Sequence, residues 1–105
     1  MDTVLITAGK YKGRKITTPG GATHPMGSRE KLALFNMLTG EIGGATVLDA
    51  FAGSGALGIE ALSRGASEVV FVEKSSKAAE IIHQNLKSLD INEGTEVIKS
   101  SVKEA

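Results

Sequence analysis

A carboxylate and a run of glycines stand close together in the stretch Val47-Leu48-Asp49-Ala50-Phe51-Ala52-Gly53-Ser54-Gly55-Ala56-Leu57-Gly58. This pattern is typical of a short apolar strand, a tight turn and the start of a helix. Glycine suits such a turn because a side chain would hinder the backbone conformation and keep a ligand away from the main chain. The first N–H groups of the helix would face that ligand. The stretch therefore predicts a ligand site at Gly53, Ser54, Gly55 and Gly58.

Asp49 indicates which kind of ligand this turn favours. The spacing Gly53-x-Gly55-x-x-Gly58 matches the dinucleotide fingerprint, and Glu73 stands close to the position of that fingerprint's acid. However, a carboxylate at Asp49 would repel a pyrophosphate and attract an ammonium or sulfonium group. S-adenosylmethionine carries both of these cations, so we predict it as the cofactor. A dinucleotide site and a purely structural strand-turn-helix are the alternatives.

Other polar residues are predicted at the same edge of a parallel α/β sheet. Residues 68–73 form an apolar run that ends in Glu73, as in a strand covered on both faces. Helices are expected over 56–64 and from Ser75 or Ser76 to Leu89, and a third strand over 95–99. Asp49 and Glu73 would then end adjacent strands beside the turn, where ligands bind. Glu73 is placed to bond a ribose diol, and Ser101 to meet an adenine edge.

The N-terminal part of the sequence carries the excess of positive charge. Residues 1–31 have a net charge of +4 and residues 32–105 a net charge of −4, although the whole chain is neutral. We expect a hairpin with strands over 3–7 and 14–18, a loop over 19–27 and a helix over 28–40. A basic arm on an acidic body suits RNA, and a solvated basic hairpin is the alternative. The candidate RNA contacts are Lys10, Tyr11, Lys12, Arg14, Lys15 and Arg29.

Composition excludes several other kinds of protein. The chain has no cysteine, so disulfides and thiolate metal sites are ruled out. His24 has no second ligand at a metal-binding spacing, and we predict no metal site. No charged and apolar leader opens the sequence and no apolar run is long enough for a membrane span. We therefore expect no membrane partner and a cytoplasmic location.

Three segments of the sequence, in order, resemble one family. They are Gly9-Lys10-Tyr11-Lys12-Gly13-Arg14-Lys15, Leu34-Phe35-Asn36-Met37-Leu38, and residues 47–66, which include the glycine turn. Together they resemble the RsmD-type family of bacterial 16S rRNA guanine-N2 methyltransferases, which use S-adenosylmethionine. The resemblance implies a Rossmann-like class I methyltransferase fold, a hairpin that contacts RNA, and 16S rRNA or the small ribosomal subunit as partner. It also implies that Asp49, Phe51 and the turn cradle the methionine part of the cofactor and that Glu73 holds the ribose.

On this basis we expect residues 1–27 to form a basic hairpin and loop that contacts RNA. We expect residues 28–105 to form a partial S-adenosylmethionine-binding domain, the first half of the Rossmann-like sheet, with three parallel strands and their helices. The alternative is a non-catalytic module that binds RNA or the cofactor.

The family's catalytic motif is not found in this sequence. That motif reads Asp or Asn, then Pro-Pro, then Tyr or Phe, whereas the prolines here are Pro19 and Pro25, both before the glycine turn. We therefore predict no catalytic residue in this chain and expect it to be inactive alone, as a truncated part of a longer enzyme. The strand over 46–50 would then have an unpaired apolar edge, which favours self-association.

Overall fold

A computed structural model describes residues 2–18, 41–50, 52–53 and 55–100 of the 105-residue chain. The predicted loop over 19–27 and helix over 28–40 lie outside the described residues, as do Arg29, Phe51, Ser54 and Ser101. The described elements are β1 (Asp2–Leu5), β2 (Lys15–Thr18), β3 (Thr46–Asp49), α1 (Ala56–Ser63), β4 (Glu68–Val72), α2 (Ser76–Ser88) and β5 (Thr95–Ile98). Among these elements, neither helix has the length and apolar character needed to cross a membrane.

The strands form two separate sheets. β1 and β2 pair antiparallel, with Asp2 opposite Thr18. β3, β4 and β5 pair in parallel in that order, with Asp49 opposite Phe71. This confirms the predicted α/β class, with a hairpin followed by three parallel strands and their helices. Each strand is one residue shorter than predicted, and β1 begins one residue earlier than predicted, at Asp2.

Helix α1 packs against β4 closely enough to require a glycine. An ideal Cβ at Gly58 would lie 2.8 Å from Cγ1 of Val69 and would overlap the ring of Phe71. Both of these β4 side chains are fully buried, as are Ile59 and Ile82. Gly58 therefore serves helix–strand packing, which is the usual role of the third glycine in such a turn.

A buried carboxylate in α1 holds the hairpin on the body of the protein. The Thr7 N–H donates to Oε1 of Glu60 and the Thr7 hydroxyl to Oε2, both at 3.0 Å. Nε of Arg64 donates to the same Oε2 at 2.8 Å, and its Nη2 donates to the Thr7 hydroxyl at 2.9 Å. Glu60 is 0% exposed, so this network compensates for the burial of its charge.

An asparagine covers the outer edge of β2. The Thr17 N–H donates to Oδ1 of Asn85 and the Thr17 carbonyl accepts from Nδ2, both at 2.9 Å. The amide of this α2 residue thus supplies the bonds that a neighbouring strand would otherwise make. Ile6 and Ile16 are buried in the same apolar cluster as Phe71. The hairpin is therefore an integral part of the core.

Candidate functional site

Asp49 and Glu73 lie at the carboxyl ends of the adjacent parallel strands β3 and β4, as the sequence predicts. The Asp49 side chain is directed at the first turn of α1, because its Oδ2 accepts the Gly58 N–H at 3.2 Å. Asp49 is 8% exposed. A carboxylate thus lies at the base of the glycine turn, largely removed from water.

The surroundings of Asp49 raise the pKa of its carboxyl group above the ordinary value. Burial is the largest cause, and the hydrogen bond from the Gly58 N–H acts in the opposite direction. The nearby charge of Glu73 raises the pKa further. A cation bound beside Asp49 would offset both unfavourable effects, because it would favour the ionised form.

The two glycines Gly53 and Gly55 of the turn differ in how closely other residues pack against them. Gly53 has φ +54° and Gly55 has φ +84°, conformations that favour glycine. An ideal Cβ at Gly53 meets no heavy atom of the described residues within 4 Å, whereas one at Gly55 lies 3.3 Å from the Phe71 ring. Ala52 anchors the turn by donating its N–H to the Val72 carbonyl at 3.1 Å. Within the described part of the chain, the space beside the Gly53 backbone is therefore open.

Glu73 is joined to this turn by a direct hydrogen bond. Its Oε1 accepts the Gly53 N–H at 2.9 Å and its Oε2 accepts the Ser75 N–H at 2.8 Å. The backbone of Glu73 is bonded to Ile98, the last residue of β5, and to Ser100, two residues further on. Both oxygens of the Glu73 carboxylate therefore accept backbone N–H groups, one from the glycine turn and one from Ser75.

These groups fit the recognition of S-adenosylmethionine. Two carboxylates suit the cationic methionine part and the ribose hydroxyls, and the open Gly53 backbone allows close approach of a ligand. Asp49, Gly53, Gly55, Gly58 and Glu73 lie together around the turn. The predicted ligand contacts of Phe51, Ser54 and Ser101 stay predictions, since these residues lie outside the described ranges.

The basic residues of the hairpin lie at the other end of the sheet. The Tyr11 N–H donates to Oγ of Ser63, the last residue of α1, and Nη2 of Arg14 donates to the carbonyl of Ser88, the last residue of α2. Both helices begin at the carboxyl ends of the preceding strands and run back to the opposite end. The described candidate RNA contacts are therefore distant from Asp49, which the sequence alone did not indicate.

A groove of about 300 Å³ at the hairpin tip combines opposite charges. Lys10 and Tyr11 line one side of it, and the loop 90–93, which contains Asp90 and Glu93, lines the other. The Lys10 ammonium lies 5.5 Å from the centroid of the Tyr11 ring. In the sequence, Asp90 and Glu93 belong to the acidic part of the chain, residues 32–105, and not to the basic N-terminal part. The fold brings them beside the basic tip.

Parallel strands ending in two carboxylates beside a glycine turn are typical of the class I methyltransferase fold, and solved structures of similar chains support this class. The solved structure of Escherichia coli yhhF matches this fold with a TM-score of 0.89 and 35% identity, over 98% of this chain and 55% of that chain. The Trypanosoma brucei PRMT1 enzyme–prozyme complex with AdoHcy matches with a TM-score of 0.56 and 27% identity, over 60% of this chain and 20% of that one.

Within that class, the chain belongs to the family described as Conserved hypothetical protein 95, the RsmD family, whose model matches residues 4–105. Ribosomal RNA small subunit methyltransferase D of Haemophilus influenzae is 43% identical over 100 residues, which are 93% of this chain and 52% of that protein. Its namesake in Escherichia coli K12 is 39% identical over 87 residues, 82% of this chain and 44% of that protein. The chain spans about half the length of the curated relatives it matches. The predicted family is confirmed.

Proposed function

We propose that this chain is the cofactor-binding part of an S-adenosylmethionine-dependent methyltransferase that modifies N2 of guanine in 16S rRNA. The observation that carries the proposal is the pair of carboxylates, Asp49 and Glu73, on either side of an open glycine turn. Bound S-adenosylmethionine supplies an electrophilic methyl group on a positively charged sulfur. The relatives named as ribosomal RNA small subunit methyltransferases support the RNA substrate.

In this proposal the residues of the chain bind and orient the cofactor. Asp49 attracts the cationic methionine part, and the open backbone at Gly53 lets the ligand approach the turn. Glu73 offers its carboxylate to the ribose hydroxyls. That the chain does not transfer methyl groups by itself stays a prediction, which methylation of 30S subunits or naked 16S rRNA by this chain alone would contradict.

Isothermal calorimetry with the 105-residue chain tests the cofactor. We expect S-adenosylmethionine to bind with a stoichiometry near one and NAD to give no binding heat, because the pyrophosphate of NAD would meet the Asp49 carboxylate. Saturable binding of NAD together with no binding of S-adenosylmethionine would contradict the proposal and favour the dinucleotide alternative.

We also propose that the hairpin contacts the phosphate backbone of the RNA. Lys12 and Lys15 are exposed on the hairpin. We expect the double variant Lys12→Gln/Lys15→Gln to bind 16S rRNA fragments less tightly, with similar losses for different sequences. The slope of log K against log salt should fall by about 0.7–0.9 for each lost phosphate contact. Filter binding at several salt concentrations measures both quantities.

The variant Lys12→Arg/Lys15→Arg is the matched control, since it keeps both charges at the same positions. It should retain the affinity and the salt slope of the wild type. If the two double variants bind RNA equally well, the hairpin lysines do not contact phosphate.

The outer edge of β3 is a second candidate surface, for self-association. In the sheet of described strands β3 is an edge strand, and Leu48 is 65% exposed on it. An unpaired apolar edge favours pairing with another chain. We therefore expect the apparent mass in size-exclusion chromatography to rise with protein concentration.

Leu48→Lys should make the chain monomeric, since a charge on an edge strand opposes pairing. Leu5→Lys is the control, because Leu5 is 50% exposed on the hairpin, away from β3. A monomeric wild-type chain at all concentrations would contradict self-association through this edge.

A further inference from the structure

We propose that Glu73 is a positioning residue that holds the glycine turn in its ligand-binding conformation before any cofactor binds. This role goes beyond a contact with ribose, and it rests on the proposed function of the turn. The two oxygens of the Glu73 carboxylate accept N–H groups from different segments. Gly53 of the glycine turn donates to Oε1 and Ser75, the N-cap of α2, donates to Oε2.

The bond to Gly53 joins the turn to a rigid part of the fold. The Glu73 N–H donates to the Ile98 carbonyl at 2.9 Å, and the Glu73 carbonyl accepts the Ser100 N–H at 3.0 Å. The Glu73 N–H is thus bonded to the last residue of β5, and the Glu73 carbonyl is bonded to Ser100, two residues after β5 ends. The carboxylate therefore extends from a fixed base, and its bond restrains Gly53 at the position where the backbone is open.

A carboxylate is the side chain that this arrangement requires. Each of its oxygens has two lone pairs, so both can accept a backbone N–H and still accept a ribose hydroxyl. The amide of glutamine has one oxygen and one NH₂ group. In either orientation, Glu73→Gln would place NH₂ against the N–H of Gly53 or of Ser75, and one bond would be lost.

Asp49 is a matched contrast at the same edge of the sheet. The described residues give its carboxylate one backbone donor, the Gly58 N–H on Oδ2. Asp49→Asn can therefore keep this bond through its amide oxygen while it removes the charge. The two substitutions each remove one carboxylate charge, but only Glu73→Gln must break a bond that shapes the turn or the α2 cap.

Amide hydrogen exchange without cofactor tests the positioning role. In the wild type we expect the Gly53 and Ser75 amides to exchange more slowly than in an unstructured peptide. Glu73→Gln should speed exchange at one or both of them by about tenfold or more, and Asp49→Asn should leave both unchanged. An unprotected Gly53 amide in the wild type would overturn the proposal, and this measurement does not require the variant to fold.

Binding of two ligands separates this role from a ribose contact. S-adenosylhomocysteine carries the ribose diol, and its 2′,3′-dideoxy analogue does not. If Glu73 positions the turn, Glu73→Gln weakens the binding of both ligands. If Glu73 acts through the ribose hydroxyls alone, the variant binds the dideoxy analogue as tightly as the wild type does, which overturns the inference. Failure of the wild type to bind either ligand would contradict the proposed function, while the exchange result would still decide the positioning role.

Discussion

Gly9→Ala should destabilise the protein far more than Gly13→Ala, although the two glycines have nearly the same backbone conformation. Their φ angles are +87° and +85°, and a residue with a Cβ loses about 1–2 kcal/mol in this left-handed region. An ideal Cβ at Gly13 meets none of the described residues within 4 Å, whereas one at Gly9 overlaps the carbonyl of Ser63 and lies 2.9 Å from its Oγ. Overpacking adds about 1–3 kcal/mol or more. Urea unfolding of the two variants measures the difference.

The clash at Gly9 occurs where the hairpin tip joins α1. Ser63 accepts the Lys10 N–H on its carbonyl at 2.8 Å and the Tyr11 N–H on its Oγ at 2.9 Å. Its hydroxyl donates to the Ala8 carbonyl at 2.6 Å. Gly9→Ala must separate these groups, so the hairpin amides should lose protection before those of the parallel sheet. Equal free energies of unfolding for the Gly9→Ala and Gly13→Ala variants would show that this contact does not restrain the fold.

The local elements of this protein follow from its sequence because their signals are local. β-branched runs, a glycine-rich turn and a stripe of apolar residues at helical spacing predicted the strands and helices of the described ranges to within two residues. Ser75, one of two predicted caps, does accept the Ala78 N–H through its hydroxyl at 3.2 Å. In a parallel sheet this order also places Asp49 beside Glu73, which made the edge of the site predictable.

The docking of the hairpin could not be predicted in the same way. Glu60 stands between apolar residues of α1 and its partner Thr7 is 53 residues away in the sequence, so no spacing rule connects them. A glutamate four residues before an arginine is also typical of an exposed helical ion pair. The same holds for Asn85 and Thr17, which are 68 residues apart. These polar contacts depend on how the hairpin packs against the helices.

Asp49→Asn should weaken the binding of S-adenosylmethionine by about tenfold to a hundredfold. Opposite charges about 4 Å apart interact by about 4 kcal/mol at an effective dielectric constant near 20, and desolvation of the ligand offsets part of this. The remaining loss of about 1.4–2.8 kcal/mol corresponds to the expected change in affinity. Calorimetry at neutral pH measures it. S-adenosylhomocysteine, which has no charge on sulfur, is the control ligand and should lose less affinity than the methyl donor.

The pH dependence of the same two proteins tests whether the charge of Asp49 is responsible. Because burial raises the pKa of Asp49, wild-type affinity for S-adenosylmethionine should fall as the pH decreases through that pKa, and the affinity of Asp49→Asn should change less.

The free energy of unfolding should depend on pH in the opposite direction to the binding affinity. An acid with a raised pKa in the folded state stabilises the fold below its unfolded pKa, and this contribution is lost as the pH rises through the folded pKa. The variant keeps an acceptor for the Gly58 N–H without a buried charge, so at neutral pH its free energy of unfolding should equal or exceed that of the wild type. A variant that is less stable at neutral pH and binds the methyl donor as tightly as the wild type would assign Asp49 a structural role.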